Sequence, residues 1–201
     1  MESTRPRTIA AFLDDVSSGE PTPGGGSVAA LSGSLACSLG LMVCAIGLAK
    51  GENPVLESLR VRLHPLRERF VDLVDEDAAA FAAVMVAYRL PRGGPVRAAA
   101  VGAALAGAAE APLETALRSV ELLDLLLELV PLGTQQSTSD VGVAAILAKA
   151  SLDGALLNVD TNLAYMKDRD LIARLASRRD DLRAGGAKRA EEVLAHVRER
   201  L

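Results

Sequence analysis

A chain of 201 residues with a net charge of −4, half of it hydrophobic, suits one domain with a sizeable core and argues against general nucleic-acid binding. Alanine and leucine carry the apolar content while aromatic residues make up 2 % of the chain, a balance that favours helix over sheet. No secretory signal opens the sequence, since Met1 to Arg7 is polar and the long apolar run begins too late, so the cytoplasm is the expected location.

A first helix is expected from about Thr8 to Val16, on the stripe Ile9, Phe12, Leu13 and Val16, with Gly19 ending it. The run Pro21-Thr22-Pro23-Gly24-Gly25-Gly26 cannot sit inside a helix and reads as a loop. Ser27 then stands where an N-cap belongs, at the head of a second helix, Ser27–Ala49, that carries no charge from Val28 onward. Gly33, Cys37, Gly40 and Cys44 recur at helical spacing and leave a shallow face for other helices. The loop thus delivers free backbone N–H groups to the start of a buried helix, an arrangement that binds anions or carbonyl oxygens. An ordinary turn before a core helix is the plainer account. A membrane span is possible by length, but small residues dominate and no Trp or Tyr flanks the segment. Gly24-x-Gly26-x-x-Ala29 echoes a dinucleotide fingerprint, yet no strand precedes it. Cys37 and Cys44 are separated by roughly 10 Å of helical rise, too far for a disulfide, and read as buried thiols.

The third helix is expected from about Val55 to Tyr88, kinked or briefly broken at Pro65. Leu66, Phe70, Leu73, Val74, Phe81, Val84, Met85 and Tyr88 share one face, and Asp77 falls on that face. A carboxylate on an apolar stripe is costly unless paired or hydrogen-bonded, so Asp77 is either a functional acid or a structural partner of another helix or an arginine. A fourth helix begins near Pro95 and runs to Leu129, with a kink or a junction of two segments at Pro112. After a polar loop from Pro131 to Thr138, a fifth helix begins at Ser139 or Asp140, which read as capping residues, and ends near Met166. Leu147, Ser151, Gly154, Asn158 and Asn162 share a face that reads as a polar pocket wall or as an interhelical hydrogen-bond network. Sixth and seventh helices, Asp170–Arg183 and Lys188–Leu201, are expected on either side of Gly185-Gly186 as a charged outer layer. His64 and His196 lie far apart without companion ligands, so no metal site is expected.

Four motifs stand in order: Pro21-Thr22-Pro23-Gly24-Gly25-Gly26-Ser27; Glu76-Asp77-Ala78-Ala79-Ala80-Phe81 with Ala87-Tyr88-Arg89-Leu90-Pro91; Ala111-Pro112-Leu113-Glu114; and Ser139-Asp140-Val141-Gly142-Val143-Ala144-Ala145 through Asn158-Val159 to Asn162-Leu163. Together, from Ile9 to Leu163, they resemble the cyclodeaminase/cyclohydrolase family. That family includes the C-terminal domain of formiminotransferase-cyclodeaminase, stand-alone formiminotetrahydrofolate cyclodeaminases and a bacterial methenyltetrahydrofolate cyclohydrolase. The resemblance implies an all-α helical bundle, one domain over residues 1–201, that forms a homodimer and acts on a folate derivative, polyglutamylated or not. It implies Asp77 and Asp140 as catalytic residues, and Pro23, Gly24, Gly25, Gly26, Ser27, Lys50, Ser139, Asn158 and Asn162 as substrate-binding ones. No cofactor beyond the tetrahydrofolate substrate, no nucleic acid and no membrane partner is implied. Two departures stand out: Gly47-Leu48-Ala49-Lys50-Gly51, where many relatives carry a threonine before a Gly-Lys pair, and Asp160, where some relatives carry a basic or apolar residue.

Both family reactions centre on the one carbon between N5 and N10 of tetrahydrofolate, and both require proton transfer at nitrogen. Asp77, in apolar surroundings, suits the proton shuttle, while Asp140, at a helix start, suits an ionised anchor; the roles are interchangeable on sequence alone. The expected activity is the cyclodeaminase, with the cyclohydrolase or a non-catalytic folate-binding helical dimer as alternatives.

Overall fold

The computed structural model describes residues 8–201, so the polar Met1–Arg7 segment lies outside the described residues. Six α-helices follow one another: α1 (Ile9–Ser17), α2 (Gly25–Leu48), α3 (Pro54–Tyr88), α4 (Pro95–Leu129), α5 (Thr138–Tyr165) and α6 (Arg169–Arg200). Two short 3₁₀ turns, Val130–Leu132 and Gln135–Ser137, join α4 to α5, and there is no strand among the described residues. The all-α expectation therefore holds.

The charge-free helix is the centre of the bundle because its residues are small. α2 packs against α3, α4 and α5, and Ala30, Ala36, Cys37, Val43 and Cys44 are buried along it. A β-carbon on Gly33 would lie 2.3 Å from the Phe70 ring, so glycine there sets how closely α3 approaches. Burial pushes the Cys37 and Cys44 thiols upward, Cys44 to about 11, which leaves both unreactive as nucleophiles. α2 has the length and hydropathy to cross a membrane, but over half of its most apolar stretch is covered by the other helices.

Several boundaries differ from the sequence expectation. α2 begins at Gly25, with Gly24 as an extended N-cap residue that makes no side-chain cap. Ser27 is therefore the third residue of the helix and fully buried, not its cap. α5 is entered through a Thr134–Ser137 capping box, so Ser139 and Asp140 lie inside the first turn rather than capping it. α3 and α4 run unbroken through Pro65 and Pro112. Each proline costs the helix roughly 3 kcal/mol, but fully buried residues on both sides of each, Leu63 and Leu73 about Pro65 and Ala109 and Leu113 about Pro112, hold the segments in line.

Residues 169–200 form one helix, not two. Gly186 lies inside it, and a β-carbon there would meet Leu152 Cδ2 at 2.2 Å. The glycine pair marks a close crossing of α6 over α5 rather than a chain break. Arg183 fastens the same crossing by bonding Asp160 at 2.8 Å, Arg179 bonds the other oxygen of that carboxylate, and Arg189 pairs with Asp124 of α4. Asp160 thus has a structural task between α5 and α6. Of the α1 stripe, Phe12 alone is buried, and Ile9 and Leu13 remain exposed.

α2 and α5 lie antiparallel: Gly25 faces Asn158, Gly154 faces Ala29, and Gly133, just before α5, faces Val43. Their outer surface is apolar and open. Val28, Leu35, Met42 and Ile46 of α2 and Val143, Ile146 and Leu157 of α5 are all exposed.

Candidate active site

A cavity of about 490 Å³ opens at the N-terminal end of α2, where α3, α4 and α5 converge. Its volume falls in the usual range for small-molecule sites. Pro21, Thr22 and the three glycines form one wall, and Asp77 stands in that wall. Gly26 is what allows it: a β-carbon on that residue would fall 2.1 Å from Asp77 Oδ1. The third glycine of the loop is thus the seat of the carboxyl group.

The Ser27 hydroxyl lies 3.0 Å from Asp77 Oδ2 and 3.1 Å from the Val74 carbonyl oxygen. It has one proton to give. When that proton goes to Val74, the Ser27 oxygen can accept a hydrogen bond from a protonated Asp77; when it goes to Asp77, it supports the carboxylate. Ser27 therefore accommodates both protonation states without leaving its place. Burial is the dominant influence on Asp77 and raises its pKa, against the pull of the Ser27 hydroxyl and Ser27 backbone N–H. The positive end of α2 also favours the anion. No lysine or arginine pairs with Asp77 among the described residues, so its proton affinity is set by this enclosure.

Asn158 and Asn162 face Asp77 across the cavity, from α5. Each commits one amide N–H to a backbone carbonyl: Asn158 to Gly154 of its own helix and Asn162 to Ala108 of α4, both at 2.9 Å. Their remaining amide donor and acceptor capacity is available to a ligand. The two readings of this polar face divide along its length. Its lower part, Ser151, is fully buried and bonded to Ser119 at 3.0 Å, a structural network; its upper part lines the cavity.

The structure does not bring every expected site residue together within one chain. Gly24, Gly25, Gly26, Asp77, Asn158 and Asn162 line the cavity, and Ser27 buttresses it from behind. Pro23 is not in the lining, although its neighbours Thr22 and Gly24 are. Lys50 is exposed just past the far end of α2, and Ser139 and Asp140 sit in the first turn of α5. From Asp140 to Asn158 the helix rises roughly 27 Å.

Other cavity residues were hidden in plain periodicity. Phe81, Met85 and Tyr88 were expected in the core with their helix face, yet each is more than a third exposed, at the cavity rim. Tyr165, at the end of α5, joins them. The available signal was scarcity: both tyrosines of the chain and one of its three phenylalanines gather here.

An all-helical bundle with a ligand-sized cavity, one enclosed carboxyl group and no paired cation has the makings of a small-molecule acid–base enzyme. The profile of the formiminotransferase-cyclodeaminase family matches residues 8–181, and the chain belongs to that family of folate one-carbon cyclodeaminases and cyclohydrolases. Methenyltetrahydrofolate cyclohydrolase of Methylorubrum extorquens is 33 % identical over 170 residues, covering 81 % of this chain and 82 % of that enzyme. Formimidoyltransferase-cyclodeaminase of Rattus norvegicus is 32 % identical over 80 % of this chain, which spans 31 % of that longer protein. The formiminotetrahydrofolate cyclodeaminase of Thermotoga maritima shares the fold with a TM-score of 0.90 at 25 % identity, with 98 % of each chain covered.

Proposed function

We propose that this protein is a formiminotetrahydrofolate cyclodeaminase, converting 5-formiminotetrahydrofolate to 5,10-methenyltetrahydrofolate and ammonia. The observation that carries this reading is Asp77: a carboxyl group with a raised pKa, seated on Gly26 and backed by Ser27, in the wall of a ligand-sized cavity. In the reaction N10 attacks the formimino carbon, the new C–N bond closes the ring, and the tetrahedral adduct expels ammonia. Asp77 as carboxylate accepts the N10 proton, and as acid returns a proton to the departing nitrogen. The Ser27 hydroxyl serves both states by turning between Val74 and Asp77. Asn158 and Asn162, with the first-turn N–H groups of α2, orient the pterin.

The reading includes a homodimer, formed through the exposed apolar face of α2 and α5, in the cytoplasm, where two unpaired thiols are at home. A two-fold axis lying in that face and crossing the helices near their middle sets the two copies antiparallel. The Lys50, Ser139 and Asp140 end of one copy then stands over the Asp77 end of the other. In that arrangement Asp140 serves as an anchor across the dimer, not within the chain.

A second reading, methenyltetrahydrofolate cyclohydrolase, is favoured by the match along most of the Methylorubrum enzyme. Water then attacks the methenyl carbon, Asp77 takes its proton, and one C–N bond of the bridge breaks as Asp77 returns the proton to the departing ring nitrogen, leaving a formyl group on the other. A side-by-side spectrophotometric assay separates the two: methenyltetrahydrofolate absorbance grows from the formimino substrate if the first reading is right, and decays faster than the uncatalysed rate if the second is. Retention of folate with neither change would assign the chain to a non-catalytic binding role.

A further inference from the structure

Pro65 and Pro112 both stand inside helices, and each withholds an N–H from the carbonyl one turn before it. Pro65 withholds it from Val61, an exposed residue, where water serves instead. Pro112 withholds it from Ala108, which is buried and lines the cavity beside Asp77. A buried carbonyl left without a donor is costly, and α5 supplies the missing one: Asn162 Nδ2 lies 2.9 Å from the Ala108 oxygen. The proline ring also crowds that oxygen and so opens it to a donor from outside α4.

This bond decides how the Asn162 amide stands. Turning it over would set Oδ1 against the Ala108 oxygen, two acceptors with no proton between them. Asn162 therefore keeps one N–H on α4 and holds its Oδ1 and its second N–H in a fixed order for the cavity that it lines. Asn158 is held less strictly. Its Nδ2 donates to Gly154, a carbonyl that regular helix geometry already pairs with the Asn158 backbone N–H. We infer that Pro112 is a positioning residue: by leaving the Ala108 carbonyl short of a donor, it fixes the orientation in which Asn162 meets the substrate. Almost any other residue at 112 would suit α4 better as a helix, and the proline answers to the amide across from it. The substrate side of this inference rests on the folate reading above; the link between Pro112 and Asn162 does not.

The test is a cycle of Pro112→Ala, Asn162→Leu and the double variant, followed by thermal melts and by kinetics on the formimino and methenyl substrates. Alanine restores the N–H at 112. Leucine is close to asparagine in size, cannot donate, and keeps water off the Ala108 carbonyl. Asn162→Leu should lower the melting temperature of the wild-type chain by roughly 3 °C or more, and that of Pro112→Ala by less than half as much. Pro112→Ala should raise KM roughly fivefold with kcat changed by less than about twofold, and should add nothing to KM once Asn162→Leu is present. Equal melting losses in the two backgrounds would overturn the inference. So would an unchanged KM in Pro112→Ala, or the same rise with and without Asn162→Leu. A Pro112→Ala chain that fails to fold would show that the ring, not the missing N–H, is what the protein needs, and would overturn it as well. A wild-type protein that turns over neither substrate would overturn the folate reading, while the melting cycle would still decide the link between the two residues.

Discussion

The Asp77 carboxyl group is an acid made by enclosure. Because its folded pKa lies above that of the unfolded chain, the folded state holds the proton more tightly. The associated stability is complete below the unfolded value and is lost as pH rises through the folded one. Asp77→Asn keeps the shape and removes the cost of burying the charge. The variant should melt higher than wild type at pH 8, with the difference closing toward pH 4; a variant that melts lower at pH 8 would mean that the carboxylate, not the acid, is the form the fold prefers. The neighbouring glycines divide into two tasks. A β-carbon on Gly25 would sit 3.6 Å from Asn158 Nδ2, an ordinary contact, whereas one on Gly26 collides with Asp77. Gly25→Ala should leave the melting temperature nearly unchanged and raise KM about tenfold by crowding the ligand, about 1.4 kcal/mol of binding. Gly26→Ala should lower both melting temperature and kcat. Kinetics and thermal melts on the pair decide it: equal effects from the two would remove the distinction between ligand wall and carboxyl seat.

Among the helices, what composition dictated was legible and what crossing geometry dictated was not. The charge-free run from Val28, built of small residues, reads as a core helix rather than a membrane span, and α2 occupies the centre. Asp77 announced itself as a charge on an apolar stripe, and Asn158 and Asn162 as amides on another. Ser27 misled because capping preference is local, while the hydroxyl is fixed by Val74 and Asp77, some fifty residues away. Gly185-Gly186 misled for the same reason. Glycine ends a helix by its backbone freedom, but here it serves by lacking a side chain where α6 crosses Leu152. Gly186→Ala should therefore destabilise the protein by forcing the α5–α6 crossing apart, although alanine is the better helix former by about 1 kcal/mol. A rise in melting temperature would show that the crossing has slack. The cavity tyrosines were illegible because at helical spacing a rim residue and a core residue look alike; burial alone separates them.

At the scale of the whole molecule, the proposed antiparallel dimer accounts for both the open α2–α5 face and the distance from Asp140 to the cavity. Light scattering at micromolar concentration should give twice the chain mass, and Leu35→Asp with Met42→Asp should give the monomer. A wild-type monomer would contradict the arrangement. Complementation is a sharper probe of whether the site is shared. Mixed dimers of Asp77→Asn and Asp140→Asn chains carry one intact composite site, so random exchange should restore about a quarter of wild-type activity from two inactive proteins. No recovery on mixing would place both aspartates' tasks within one chain. The central claim remains that Asp77 moves the proton in a folate one-carbon reaction, and steady-state turnover of Asp77→Asn tests it most directly. In a variant that stays folded by melting temperature and still binds tetrahydrofolate, kcat should fall by about 10²-fold or more with KM little changed; unchanged turnover would make Asp77 a structural partner of Ser27 and contradict the account.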